Sequence, residues 1–159
     1  MFVAQDNVLW YSMPFSYHSF DLNKGNLVFP SRITMVKSVV SSFAERGGLY
    51  VSDENKTYFM SGMRPKEFIQ IEVADYPAVE GTGILIDGRK VGKGDVQNNV
   101  IMWVSTEGIC LGSPDGVFMN LTERKLKYPK ANSGAGVCID DKYVCTLKAP
   151  SWTSADGFI

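Results

Sequence analysis

Large apolar residues fall in short runs along the chain, alternating or continuous, with turn residues between them. "VLWYS", "LYVS", "TYFMSG", "FIQIEV", "GILI", "VIMWVS", "ICLG", "GVFMNL", "KLKY", "GVCI" and "KYVCTL" are rich in β-branched and aromatic residues, and each predicts a strand. Asp87-Gly88 suits a two-residue hairpin because glycine accepts positive φ. Asp6-Asn7, Pro114-Asp115-Gly116 and Asp140-Asp141 are weaker versions of that signal. Only "MVKSVVSSFAE", Met35 to Glu45, admits a short helix, and its Val-Val and Ser-Ser pairs favour strand and loop. In "NVIMWVSTEGICLGSPDG" a strand ends at Ser105, Thr106-Glu107-Gly108 turns it and a second strand follows. That is half of a sheet module, and it makes the serine a strand end, not a nucleophile.

The strands repeat. "GLYVS" (Gly48 to Ser52) and "IMWVS" (Ile101 to Ser105) stand 53 residues apart, and "VLWYS" (Val8 to Ser12) precedes the first by 40. An aromatic residue followed by proline recurs later in each unit, at Phe29-Pro30, Tyr76-Pro77 and Tyr128-Pro129. "GTGILIDG" (Gly81 to Gly88) and "GAGVCIDD" (Gly134 to Asp141) share G-x-G, an apolar triplet and aspartate at the same offset of 53. A repeat of this length built from short strands lies in the range of propeller blades. The expected fold is therefore all-β: repeated antiparallel sheet modules, about three propeller-like blades in one domain over residues 1–149, with units at about 1–40, 41–93 and 94–149. Residues 150–159, "PSWTSADGFI", form a tail. Propellers have about four to eight blades, so three leave an incomplete ring whose open borders need covering. Assembly with other chains is expected, and Trp152, Phe158 and Ile159 of the tail are candidate interface residues.

Composition narrows the function classes. Apolar residues make up 45% and charged residues 21%, ordinary for a folded chain, and a net charge of −1 supplies no global field for nucleic acid. The start "MFVAQDNVLWYS" lacks a basic segment followed by an apolar run, and no stretch reaches the roughly 18 apolar residues of a membrane span, so neither export nor membrane insertion is expected. Cys110, Cys138 and Cys145 lack CxxC spacing and have only His18 as an imidazole partner, which points to packed thiols and not to a metal site; no cofactor is expected. In "GVCIDDKYVC" a two-residue turn at Asp141-Lys142 would set Cys138 opposite Cys145, a spacing that could support a disulfide, although packed thiols remain the preferred reading.

Catalytic signatures are missing. Asp53-Glu54 and Asp140-Asp141 read as turn residues. His18, in a loop after Pro14, has no G-x-S-x-G motif near it. "SPDG" resembles the aspartate box of sialidase-type propellers but lacks its spacing and its tryptophan, and "GKGD" (Gly92 to Asp95) lacks phosphate-loop spacing. The strongest basic cluster is "TERKLKYPK", with Arg124, Lys125, Lys127 and Lys130; a lysine-protected strand edge is preferred there over nucleic-acid contact. Asn120-Leu121-Thr122 fits a glycosylation pattern that has no export signal to give it meaning.

Taken together, Val8 to Ser12, Phe29 to Val36, Gly47 to Gly62, Met102 to Gly112 and Gly116 to Pro129 resemble virion structural proteins of tailed bacteriophages, from the neck or tail region. The resemblance implies a non-enzymatic assembly component of the virion, put together in the host cytoplasm, present as a homo-oligomer and contacting other virion proteins. It implies no catalytic residues. The chain is shorter than such proteins. The alternative is a propeller-type binding module for a glycan or peptide, and a divergent glycosidase-like propeller is a third reading.

Overall fold

The computed structural model describes residues 1–41, 47–62, 64–91, 98–123, 125 and 131–148. The chain is all-β, built from several antiparallel sheets that do not close into a barrel. The first sheet holds β1 (Phe2–Gln5), β2 (Val8–Met13), β3 (Ser16–Phe20) and β4 (Asn26–Val28), with β2 paired to all three others. A second sheet follows as a meander of β5 (Ile33–Val40), β6 (Gly47–Asp53), β7 (Thr57–Ser61) and β8 (Ile69–Ala74). The third repeats it with β9 (Ile84–Asp87), β10 (Asn99–Ser105), β11 (Gly108–Gly112) and β12 (Phe118–Asn120). Last comes a two-stranded hairpin, β13 (Ser133–Ile139) and β14 (Lys142–Lys148). Successive first strands touch, β1 with β5, β5 with β9 and β9 with β13, so the modules stand side by side as incomplete propeller-like blades do.

Side-chain alternation explains why the central strands read as unbroken apolar runs. On β6, Leu49 and Val51 face the first sheet, among Leu9, Phe29 and Ile33, while Tyr50 faces the third. On β10, Ile101 and Trp103 face the second sheet, whereas Val100 and Met102 face the hairpin with Ile86 and Leu111. A strand buried on both faces has no polar side to reveal its period. The hairpin, covered on one side only among the described residues, keeps a clean alternation of half-buried and exposed residues.

The repeated landmarks have structural reasons. Phe29-Pro30 and Tyr76-Pro77 lie in the connectors between consecutive sheets. The two G-x-G motifs lie against each other: a Cβ on Gly81 would strike the carbonyl of Gly134, and one on Gly136 would strike the carbonyl of Thr82. Gly81 also has φ +85°, a conformation that costs a side chain strain. The repeat units cut at 40 and 93 run out of phase with the sheets, because β5 lies before residue 41 yet pairs with β6 from Ile33 to Val40.

Several turn expectations change. Asp87-Gly88 does not make a tight hairpin; Gly88 starts a 3₁₀ turn, and β10 is joined to β9 through Asn99 opposite Asp87. The Asp87 carboxylate accepts the Arg89 backbone N–H at 3.1 Å and also its guanidinium, which fixes this conformation and holds the carboxyl down at about 2. The last hairpin turns at Asp140-Asp141, both at positive φ, with Ile139 opposite Lys142. Aspartate tolerates that region better than lysine, so a turn at Asp141-Lys142 loses. Cys138 then stands opposite Tyr143 and Cys145 opposite Gly136, and all three cysteines are free thiols. His18 is an exposed residue of β3, not a loop residue, and β1, β3 and β4 are strands beyond those the pattern predicted.

Aromatic packing between the second and third sheets sets the tightest geometry. Tyr50 lies 5.5 Å from Trp103 and 4.9 Å from Phe59, and its hydroxyl donates to the Ser113 carbonyl at 3.0 Å. Gly112 lies under the Tyr50 ring, and a Cβ there would enter it. Gly112→Ala should therefore destabilise the chain by about 1–3 kcal/mol, the usual cost of overpacking, read as a lower urea midpoint at an unchanged slope.

Candidate functional site

Among the described residues, a cleft over the sheet ends and the outer faces of the two terminal modules stand out as candidate sites. The cleft, about 620 Å³, lies above the connector from β8 to β9 and is bounded by Arg32, Glu54, Asp75, Tyr76, Glu80 and Glu107. Its floor is fixed by buried polar side chains. Ser52 Oγ accepts the Ala78 N–H at 2.8 Å, Thr57 Oγ1 donates to the Tyr76 carbonyl at 3.0 Å, and Thr82 Oγ1 donates to Val79 and accepts from Val104. Asp53, fully buried, accepts the N–H groups of Asn55 and Lys56 at 2.8 Å and shapes the turn that carries Glu54.

Four carboxylates thus share one cleft, and two of them are spoken for. Arg32 donates through Nε to Glu54 at 3.2 Å and through Nη1 to Glu80 at 3.1 Å, and both glutamates raise the guanidinium further above its ordinary value. Behind the cleft, burial raises the Tyr76 hydroxyl to about 12 and the Cys110 thiol to about 11. Among the described residues no group of His, Cys, Asp and Glu is arranged to hold a metal ion. The chemistry offered is electrostatic recognition of a cationic or hydroxyl-bearing ligand.

The outer face of the first sheet is different in kind. Val3 of β1, Trp10 of β2, Phe20 of β3 and Leu22 line an apolar groove of about 380 Å³, with Gln5 as its polar member. Beyond it the β2–β3 turn presents Phe15, entirely exposed and at φ +61°, a strained setting for a bulky residue. At the other end of the array, Val137, Ile139 and Val144 project from the hairpin away from the third sheet, with Val137 directly opposite Val144.

The sequence-predicted candidates fall mostly elsewhere. Arg124, Lys127 and Lys130 of the basic cluster lie outside the described residues, as do Trp152, Phe158 and Ile159 of the tail and the segment Gly92 to Asp95. Lys125 is exposed in a turn closed by its N–H to the Thr122 carbonyl, not on a strand. Asn120 is committed internally, donating to the Glu107 carbonyl at 2.8 Å while its Oδ1 accepts the Thr122 N–H. Ser105 ends β10 as expected, buried, donating to the Gly108 carbonyl at 3.0 Å. Sequence reasoning missed the Arg32 cluster because its members are scattered along the chain and meet only through sheet stacking. No protein-family model, curated protein or solved structure matches the chain.

Two expectations follow. Arg32→Gln should cost no more than about 1 kcal/mol, since all three groups are half-exposed and screened, and the loss should shrink in high salt. Cys110 and Tyr76 have folded values above their unfolded ones, so the stability they contribute is complete below about pH 9 and is lost as the pH rises through about 11 to 12. Circular dichroism across an alkaline titration checks the window, and Cys110→Ala should move its onset upward.

Proposed function

We propose that this chain is a non-enzymatic structural component of a phage particle, in the neck or tail, working through protein–protein contacts with copies of itself and with other virion proteins. The observation that carries the reading is that both terminal modules turn apolar faces outward. A self-contained repeat protein ends in capping modules with polar outer faces, because nothing follows to cover them. Here Trp10, Phe20 and Leu22 at one end and Val137, Ile139 and Val144 at the other lie where caps would be polar. Apolar surface left to water in this way marks an interaction site. The sequence resemblance to neck and tail proteins supplies the particle, with assembly in the host cytoplasm as the corresponding location. No helix among the described residues is long and apolar enough to cross a membrane.

The Arg32 cleft favours a second reading, a binding module for a glycan or a basic peptide. Its carboxylates and half-exposed rim would supply hydrogen bonds in the way such sites do. Native mass measurement of the purified chain separates the two. The structural reading expects masses at multiples of the single chain over micromolar concentrations, with no heat on titration of glycans or lysine-rich peptides. A single-chain mass together with saturable binding that Arg32→Gln alters would favour the module and defeat the structural reading.

A further inference from the structure

We infer that the outer face of the C-terminal hairpin is the seat for the outer face of the first sheet of a second copy, so that copies join head to tail. The inference rests on the assembly reading and assigns it two surfaces and one partner, another molecule of this chain.

The argument comes from the internal repeat. Ile84 and Ile86 of "GILI" occupy the positions that Val137 and Ile139 occupy in "GVCI". Both pairs point toward the C-terminal end of the array. Ile86 is 6% exposed because Cys138 and Tyr143 of the hairpin pack over it and Ile84. Val137 and Ile139 are 47% and 53% exposed, with nothing among the described residues over them. The third sheet shows what such a face does when a module follows it.

The complementary face recurs in the first and third units, while the second unit presents Tyr50 in the opposite sense. Trp10 of "VLWYS" and Trp103 of "IMWVS" hold the same motif position. Trp103 faces the preceding sheet, fully buried against Tyr50 and Phe118. Trp10 also faces away from the modules that follow, since its neighbour Leu9 packs into the second sheet, but no sheet among the described residues covers it and it lines the open groove with Val3 and Phe20. Among the described residues, then, no sheet follows over the hairpin face and none precedes over the Trp10 face. A second copy supplies both, at interfaces of the kind the chain already uses between its own sheets. Such a contact is heterologous: it gives a ring if the rotation closes and a filament if it does not.

Complementation between two variants tests this. Val137→Asp should abolish the hairpin seat and Trp10→Asp the groove face; each variant alone should have the mass of a single chain at concentrations where the unaltered chain is oligomeric. Mixed, they should form a one-to-one dimer and nothing larger, because each retains the face the other lacks. Near-ultraviolet circular dichroism reports folding, and Val144→Lys with Val3→Lys serves as the second pair should either first substitution unfold the chain. Oligomers untouched by the substitutions would overturn the assignment of these faces while leaving the assembly reading in place. A mixture of folded variants that stays monomeric would also overturn the head-to-tail arrangement. A single-chain mass for the unaltered protein throughout would remove both.

Discussion

The buried connector between the second and third sheets is the constraint on which the rest depends. Within residues 76–82, Ala78, Val79 and Thr82 are buried between packed sheets, where their backbone N–H and carbonyl groups need partners within the protein. Ser52 and Thr57 supply partners from the second sheet, and Thr82 itself reaches β10. Val79 donates to Val104, Glu80 accepts from Gly134 and the Thr82 carbonyl accepts from the Tyr143 hydroxyl at 2.7 Å. One short segment thus joins two sheets and the hairpin. That explains why fully buried polar residues such as Ser52, Thr57, Thr82 and Ser105 cluster at this level.

From that joint follow both surfaces of interest. With the connector fixed, Arg32, Glu54 and Glu107 are brought over it from separate loops, beside its own Glu80, and the cleft forms above. Below it the aromatic layer of Tyr50, Phe59, Trp103 and Phe118 holds the second and third sheets face to face. The Trp103 indole N–H has no partner among the described residues, so its position is maintained by packing alone. At the two ends of the described array, apolar side chains of the first sheet and of the hairpin are left uncovered by the described residues.

Much of the fold was legible in the residues. The strand patterns of β2, β5 to β7 and β9 to β11 come from β-branched and aromatic runs bounded by turn residues, and they hold. The weaker strands β1, β3 and β4 escaped because "FVAQ", "SYHSF" and "NLV" carry too little apolar contrast, and they exist through pairing to β2. The repeat also hides a twist: Tyr50 holds the motif position of Trp103 yet faces it, so the second unit presents its landmark in the opposite sense. A one-residue change of register reverses every side chain, and sequence spacing alone does not reveal it.

The amino-acid order by itself determined the class of structure, the existence of repeated sheet modules and the absence of a catalytic signature, because these depend on local propensity and on periodicity within a few residues. Tertiary structure decided which carboxylates share a cleft, which thiols stand across from which residues, and which apolar faces are left open. Those are properties of stacking and register, in which residues far apart along the chain become neighbours, and no local pattern encodes them.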